Sequence, residues 1–322
     1  MSAPVRHELP PDAHGVRRVE FRALGTSCSL QFRHSDDRVA LSFAADALGW
    51  LGAFEEKFSR FRETSLVSRI NAAAGREWIE TDVEMERMLD LAEGLHNLTE
   101  GILDASMLPL LRIWDWKQVH TSLPSAGAIK TALALTGWRK VQRRPGSVFL
   151  PQAGMGLDFG GFGKEFAVDR LARLAAERGL KDALIDLGRD IYALGGNGIH
   201  PFWHVGIEDA VHPGACRSGI ALSGRAVSAS GDYARCFIHE GRRYGHILDP
   251  RTGWPVANGV RGVNVVARSC MEAGVYSTAL CILGAHDGLT FAARAPHVDA
   301  IIQTDTGVFT SPKFPRWEVK AA

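Results

Sequence analysis

The 322-residue sequence carries almost no net charge. Its 37 lysine and arginine residues oppose 36 aspartate and glutamate residues, which gives a formal net charge of +1. A chain this balanced has no bulk electrostatic field to attract nucleic acid or an anionic membrane surface. We therefore expect no nucleic-acid partner, and any phosphate site has to be built locally.

Long apolar runs are also missing. No stretch approaches the roughly 18 consecutive apolar residues that a membrane-spanning helix requires. The N-terminal segment, MSAPVRHELPPDAHGVRRVEF, lacks the apolar centre of a signal peptide. These absences predict no membrane span and a cytoplasmic protein, or a periplasmic one if a leader has been removed.

Cysteine is scarce and its spacing is irregular. The cysteines are odd in number, far apart and free of CxxC spacing; they are Cys28, Cys216, Cys236, Cys270 and Cys281. This pattern disfavours both a disulfide framework and a zinc site. It fits a protein of a reducing compartment.

Apolar residues are plentiful, at 46% of the sequence, and they can bury the core of one large domain or of two intimate subdomains. Residues 1–17 are polar and contain proline, which predicts a flexible N-terminal arm ahead of a single domain over residues 18–322. Strand patterns occur in adjacent pairs, so the predicted fold class is α+β, with mixed or antiparallel sheets and packed helices. Helical spacing of apolar side chains predicts helices near 38–58, 82–98, 164–178 and 272–283.

The most specific stretch is Val227–Pro255, where glycine, hydroxyl, carboxylate and imidazole groups lie between two apolar runs. Residues 228–232 predict a polar turn, and His246 precedes a second turn at residues 249–253. Turn formation explains the glycines and the proline of this stretch. It does not explain the histidine, so we expect a ligand here.

A glycine-rich turn at residues 160–163 follows a short strand and opens a helix that begins near Lys164. Backbone N–H groups at a helix N-terminus, with a lysine beside them, suit a phosphate group. The spacing matches neither the dinucleotide-binding fingerprint nor the P-loop. An anion site and a tight strand-to-helix turn are both open interpretations.

Three further segments each allow two interpretations. Gly25 interrupts a strand and either lets a ligand approach the backbone or marks an edge bulge. Residues 59–71, with Ser65 as a helix cap, either bind a nucleotide base or ribose or form a capped connector. Asp104 follows two aliphatic residues and is either a helix N-cap or a buried group that faces a ligand.

Eight blocks of sequence occur in a characteristic order: LGTS, SRFRETSLVSRIN, GILDAS, LDFGGFGKEFAVDRLA, LIDLGRDI, SASGDYAR, GHILDPRTGWP and AGVYSTALCILG. Together they resemble the ApbE-type FAD:protein FMN transferases, from about Phe21 to Phe309. The resemblance implies an α+β enzyme that holds FAD in a cleft between two intimate subdomains. It also implies that FMN is joined through a phosphoester to a Thr or Ser of an acceptor protein, with help from Mg²⁺ and release of AMP.

The resemblance also implies roles for individual residues. His246, in the HxxDP block, matches the base that deprotonates the acceptor hydroxyl; the alternative is a strand-end histidine bonded to a turn carbonyl. Leu24 stands where a methionine is usual and Phe61 where a tyrosine is frequent. The positions that match FAD-binding residues are Leu24, Phe61, Ile102, Leu103, Asp104, Asp158, Lys164 and Ile247.

The metal positions depart from the family pattern. The carbonyl of Gly161 and the side chains of Ser277 and Thr278 match Mg²⁺ ligands, but Gly274 stands where an acidic ligand is common. Glu165 likewise stands where glycine is frequent. Mg²⁺ prefers carboxylates, so the expectation is a weaker site. The Gly274→Asp variant distinguishes two cases: a sharp rise in activity or metal affinity would indicate a degenerate site, and no change would mean that the metal is held elsewhere.

Two other functions share most of this site. One is an FAD-binding paralogue without transferase activity, and the other is an FAD pyrophosphatase that releases FMN and AMP.

Overall fold

The computed structural model describes residues 7–319 except 117, 119–121, 213, 233 and 234. Its helices are α1 (Asp37–Phe58), α2 (Leu66–Ala72), α3 (Val83–Leu98), α4 (Leu108–Ile113), α5 (Ala126–Ala134), α6 (Gly163–Glu177), α7 (Cys270–Leu283) and α8 (Ala285–Ala292). Short 3-10 helices cover Trp138–Lys140 and Phe314–Trp317.

A nine-stranded antiparallel sheet forms the centre of the molecule, in the order β1-β2-β3-β7-β8-β11-β14-β15-β16. Its strands are β1 (His7–Leu9), β2 (Arg17–Ala23), β3 (Thr26–Arg33), β7 (Asp182–Leu187), β8 (Ile191–Leu194), β11 (Arg225–Gly231), β14 (Val260–Ala267), β15 (Asp299–Thr304) and β16 (Gly307–Thr310). Helices and antiparallel strands together confirm the predicted α+β class.

Three smaller sheets surround the central one. The first contains β4 (Ile79–Glu80), β6 (Ser147–Phe149) and β5 (Gln142–Arg144). The second contains β17 (Glu318–Val319), β10 (Cys216–Leu222) and β9 (Trp203–Glu208). The third is the hairpin of β12 (Cys236–His239) and β13 (Arg242–Gly245).

Both faces of the central sheet are covered, by different layers. Successive side chains of a strand point to opposite faces. On β14, Val265 belongs to the core that includes Leu171 of α6 and Val275 of α7, whereas the next residue, Val266, packs with Trp203 in the core under the β9–β10 sheet. The helical layer is the one that positions the candidate site.

Helices α6 and α7 lie antiparallel, and side chains fix their register. The two carboxylate oxygens of Asp169, on α6, accept hydrogen bonds from the backbone N–H groups of Cys270 (2.7 Å) and Met271 (2.9 Å) at the start of α7. The hydroxyl of Ser269 accepts another from the N–H of Glu272 at 3.1 Å. The α7 N-terminus is therefore capped both by its own chain and by its neighbour.

Two sequence-based expectations about local structure need correction. The arm predicted over residues 1–17 contains β1, which pairs with β2, so His7–Leu9 form the edge strand of the sheet. Residues 1–6 lie outside the described residues. The polar turn predicted at residues 228–232 is wrong as well, because residues 228–231 belong to β11. Serine, alanine and glycine resemble a turn in sequence, but here they lie in a paired strand, and the Ser230 hydroxyl contacts α7.

Two features of the structure relate to the predictions of reduced cysteines and of no membrane span. All five cysteines are free. Among the described residues, no helix combines the length and the apolar character needed to cross a membrane.

Candidate active site

Polar side chains gather where the first turn of α6, the middle of α7 and strand β11 meet. We call this group the polar chamber; its members are Lys164, Glu165, Asp190, Ser228, Ser230, Ser277 and Thr278. The Lys164 ammonium contacts the Asp190 carboxylate, which also accepts a hydrogen bond from the Ser228 hydroxyl. Each of these groups is satisfied by a neighbour from a different element.

A cluster of hydroxyl groups forms the second half of the chamber. Ser230 lies two residues after Ser228 and therefore on the same face of β11. Its hydroxyl oxygen is 2.8 Å from that of Ser277 and 3.2 Å from that of Thr278, both on α7. The chamber thus offers neutral oxygen ligands beside a buried ion pair.

The charges of the chamber are strongly coupled. Burial and the nearby Asp190 carboxylate together raise the pKa of Glu165 to about 8, against the lowering effect of the Lys164 ammonium. Burial alone would lower the pKa of Lys164, but the Asp190 and Glu165 carboxylates outweigh it and raise that pKa. Lys164 is therefore charged at neutral pH, and burial favours the protonated form of Glu165.

Glu165 fills a space created by a glycine. Its side chain is buried, with 5% of the residue exposed. A β-carbon built on Gly274 would lie 2.4 Å from Cγ and 2.7 Å from Oε1 of Glu165, far inside ordinary contact distance. Within the residues that the structure describes, Oε2 of Glu165 has no hydrogen-bond partner.

His246 directly follows β13, and its ring is held by a single backbone carbonyl. Its Nδ1 lies 3.2 Å from the carbonyl oxygen of Arg235, which also accepts the His246 backbone N–H at 3.0 Å. Because a carbonyl only accepts, Nδ1 carries the hydrogen and Nε2 carries the lone pair. The hydrogen bond to a carbonyl that the purely structural interpretation of His246 expects is therefore present. This bond uses Nδ1 only, so Nε2 can still act as a base.

The electrostatic surroundings of His246 favour the neutral ring. Burial, together with the positive charges of Arg235 and Lys164, lowers its pKa from 6.5 to about 4. At neutral pH the ring is therefore available to accept a proton.

A second polar region joins the connector at residues 59–71 to the glycine-rich turn. Arg60 Nε lies 2.5 Å from Oδ2 of Asp158, whose Oδ1 accepts the N–H of Gly160 at 2.6 Å. The Asn71 side-chain amide accepts from the N–H of Leu157 at 2.6 Å and donates to its carbonyl at 2.9 Å. The polar groups of this connector therefore brace the strand-to-helix turn.

An exposed aromatic side chain lies beside this region. Phe61 is 67% exposed, and the Arg60 guanidinium lies 4.1 Å from the centre of its ring. A cavity of about 220 Å³ adjoins it, lined by Arg60, Ser68, Asn71, Ala72, Leu108 and Arg112. The exposed aromatic side chain and the two arginines suit a planar, anionic ligand.

Asp104 holds a turn together. Its Oδ1 accepts from the backbone N–H (2.8 Å) and hydroxyl (2.6 Å) of Ser106, and its Oδ2 accepts from the Trp138 N–H at 2.9 Å. The predicted N-cap role is wrong, because α4 begins at Leu108 and its N-cap is Met107. Beside Asp104, Leu103 is buried and Ile102 is half-buried against the main core.

The remaining predicted residues lie at turns. Leu24 and Gly25 form a two-residue hairpin turn between β2 and β3 in which both have positive φ, 53° and 71°, so the edge-bulge interpretation is wrong. The backbone N–H of Leu24 donates to Glu55 at 2.9 Å. Gly161 is exposed in the turn before α6, and Ile247 is half-buried against the main core.

The structure brings together only part of the predicted set. Lys164, Ser277 and Thr278 lie in the polar chamber, whereas Leu24, Phe61 and Asp104 contact other parts of the chain. Sequence reasoning missed Asp190 and Ser228 as site residues. The serine alternation in SASG was the available signal, but reading it required the knowledge that this segment is a strand.

A divalent cation would have to be held mainly by neutral oxygens. Among the described residues there is no group of three or more histidine, cysteine, aspartate or glutamate side chains that could hold a metal ion. Mg²⁺ does not require one, since it typically binds through one or two carboxylates, waters and substrate phosphates. The hydroxyls of the chamber and the unpartnered oxygen of Glu165 fit such a set.

The fold and the site define an antiparallel α+β protein with a polar chamber between two helices and a sheet. Comparison with known proteins identifies its relatives. The sequence profile of the ApbE family matches residues 24–302, and the chain belongs to this family.

Individual relatives carry a functional name. A protein of Klebsiella pneumoniae named FAD:protein FMN transferase is 30% identical over 254 residues, which is 78% of each chain. One of the same name from Treponema pallidum is 31% identical over 264 residues, covering 77% of this chain and 73% of that protein. The crystal structure of an ApbE protein from Thermotoga maritima matches with a TM-score of 0.85 at 28% identity, over 98% of this chain and all of that one.

Proposed function

We propose that the chain is an FAD:protein FMN transferase. The observation that carries the proposal is the ring of His246, which the Arg235 carbonyl orients so that Nε2 keeps its lone pair. A buried cluster of lysine, carboxylate and hydroxyl groups supports it. Phosphoryl transfer needs mainly positioning, neutralisation of charge and a base beside the nucleophile. The family and the names of its members support this choice of reaction.

The proposed reaction moves the FMN half of FAD. A Thr or Ser hydroxyl of an acceptor protein attacks the phosphorus on the flavin side of the pyrophosphate. The new phosphoester bond forms as the bond to AMP breaks, and AMP leaves. His246 accepts the hydroxyl proton at Nε2, because Nδ1 is committed to the Arg235 carbonyl.

Lys164 is the fixed cation of the site. Its ammonium stays charged beside Asp190, and from that position it can offset negative charge on the pyrophosphate. Mg²⁺, when bound, would supply further neutralisation of phosphate charge. The carbonyl of Gly161 and the hydroxyls of Ser277 and Thr278 are the groups that we propose to hold it.

The FAD contacts follow from the second polar region. Phe61 offers an exposed ring for stacking, and Asp158 anchors the turn that precedes α6. Leu24 and Ile247 would contact FAD through apolar surface. Ile102, Leu103 and Asp104 would line the nucleotide, and since the Asp104 carboxylate is engaged internally, its contact would come from the backbone.

The test is incubation with FAD, Mg²⁺ and candidate acceptor proteins, followed by mass measurement. We expect an adduct of one FMN and release of AMP, and loss of the adduct when the acceptor Thr or Ser is changed to Ala. His246→Ala should slow transfer by about 10²- to 10⁴-fold while FAD binding persists.

Other outcomes identify the alternatives. Free FMN and AMP without an adduct would indicate an FAD pyrophosphatase, and FAD retained without release of AMP would indicate a binding protein. Failure to label any of several acceptors would contradict the transferase proposal.

The free cysteines fit the reducing cytoplasm that the sequence predicts.

A further inference from the structure

We propose that Glu165 supplies the carboxylate ligand of a divalent cation in the polar chamber, from helix α6, in place of the side chain that α7 lacks at Gly274. The inference depends on the proposed function in one respect, namely that phosphate and cation bind together in the polar chamber. It assigns the ligand to a residue that sequence comparison marks merely as a departure from the family pattern.

The first support is steric. A side chain at position 274 and the present side chain of Glu165 cannot coexist, because the β-carbon would lie 2.4–2.9 Å from three atoms of the glutamate. Those atoms include Cγ and Cδ, so rotating the carboxyl group alone would not relieve the overlap. The chamber has room for one acidic side chain here, and α6 provides it.

The second support is the position of the hydroxyl groups of α7 relative to Gly274. Residues three and four positions apart lie on the same face of a helix, so Ser277 and Thr278 lie one turn beyond Gly274 on its own face. The Ser277 hydroxyl donates to the Gly274 carbonyl at 3.0 Å, which ties the two positions together. The Glu165 carboxyl group therefore lies next to the hydroxyl groups that match metal ligands.

The register of the helix pair makes this placement firm. Asp169 is bonded to the start of α7 at Cys270 and Met271. One turn back along α6 from Asp169 is Glu165, and one turn forward along α7 from Cys270 is Gly274. Antiparallel packing with the first pair fixed places the second pair in contact.

The third support is an unsatisfied oxygen. Oε2 of Glu165 is buried and has no hydrogen-bond partner in the described part of the chain, and Oε1 is 3.9 Å from the Lys164 ammonium, beyond hydrogen-bond distance. Buried carboxylate oxygens without partners are costly, and proteins rarely keep them without a function. A hard cation that prefers oxygen ligands would satisfy this one.

The test uses Mn²⁺ as a spectroscopic probe of the full-length protein loaded with FAD. Electron paramagnetic resonance measures the free Mn²⁺ that remains during a titration and therefore does not depend on transfer. We expect Glu165→Gln, which keeps the shape of the side chain, to weaken Mn²⁺ binding by at least about 10-fold. Glu177→Gln is the matched control, since Glu177 lies on the same helix but is exposed beside Arg170.

A carboxylate exchange between the helices completes the test. Gly274→Asp alone should not strengthen Mn²⁺ binding, because the new side chain collides with Glu165. Glu165→Gly combined with Gly274→Asp should restore binding to within about 10-fold of the unmodified protein, since the acid then comes from α7. Of the two outcomes that the sequence left open for Gly274→Asp, this one corresponds to a metal held elsewhere than at position 274.

Two results would overturn the inference: no binding of Mn²⁺ by the unmodified FAD-loaded protein, or equal binding by it and by the Glu165→Gln variant. Failure of the proposed function looks different. In that case Mn²⁺ binding depends on Glu165 while no acceptor is labelled, and the assignment of the ligand stands.

Discussion

Replacing Gly274 with alanine tests the packing of the chamber without introducing a charge. In a helix interior glycine is about 1 kcal/mol less favourable than alanine, so the change would normally stabilise α7. Here the added carbon would lie 2.4 Å from Cγ of Glu165, at a site where the whole side chain is buried. We therefore expect Gly274→Ala to destabilise the protein relative to an unobstructed glycine-to-alanine change in another helix.

Gly94 provides that comparison. It lies inside α3, is exposed, and no atom would come within 4 Å of an added β-carbon. Both substitutions share the gain in helix propensity, which cancels in their difference. What remains is the cost of overpacking, typically about 1–3 kcal/mol.

The assay is equilibrium urea unfolding of both variants, repeated in a Glu165→Ala background. Shortening Glu165 removes the overlapping atoms, so there Gly274→Ala should match Gly94→Ala. The difference between backgrounds is the coupling free energy of the pair, expected at about 1–3 kcal/mol. If Gly274→Ala stabilises the protein as much as Gly94→Ala does, Glu165 does not occupy this space and the reasoning fails.

Other perturbations probe the remaining parts of the site. The folded-state pKa of His246 is lowered from 6.5 to about 4, so the unfolded chain takes up the proton first. The free energy of unfolding should be highest above pH 6.5 and fall by up to about 3 kcal/mol as the pH drops toward 4. His246→Gln should weaken this dependence on pH, measured by urea unfolding at a series of pH values. Asp190→Ala strands the buried Lys164 ammonium and should cost about 3–5 kcal/mol, whereas the exposed Asp46→Ala should cost less than about 1 kcal/mol in the same assay. Asp169→Ala removes the acceptor at the start of α7 and should lower the unfolding free energy by about 1 kcal/mol, with Asp169→Asn milder; equal stability of the two would argue against a capping role.

Local sequence signals predicted the helices well. The helix predicted near residues 82–98 is α3, with Asp82 as its N-cap accepting from Met85, and Ser65 caps α2 as predicted. Apolar periodicity and capping residues act within a few positions of the helix they define. Such elements can be recognised without knowing what they pack against.

Features that depend on distant partners were harder to predict. Residues 228–231 form a strand because β14 pairs with them along their whole length, while β8 pairs with residues 225–227 just before them. Their own small side chains carry little strand propensity. The strand β1 likewise exists through its pairing with β2. The sequence indicated the importance of this stretch, but not that its serines face α7.

The two departures from the family pattern are best understood as one change. Considered separately, Gly274 removes an acidic group and suggests a weakened cation site, while Glu165 looks like an unrelated substitution. In the folded chain the two positions share one volume, and the Glu165 side chain occupies it. Lys164 is paired with Asp190, so Glu165 is the remaining carboxyl group of the chamber that a cation can bind. Binding of a divalent cation depends on the position and charge of that carboxylate and not on the helix that carries it. The glycine on α7 is therefore no evidence of lost turnover, because α6 places an acidic group in the same space.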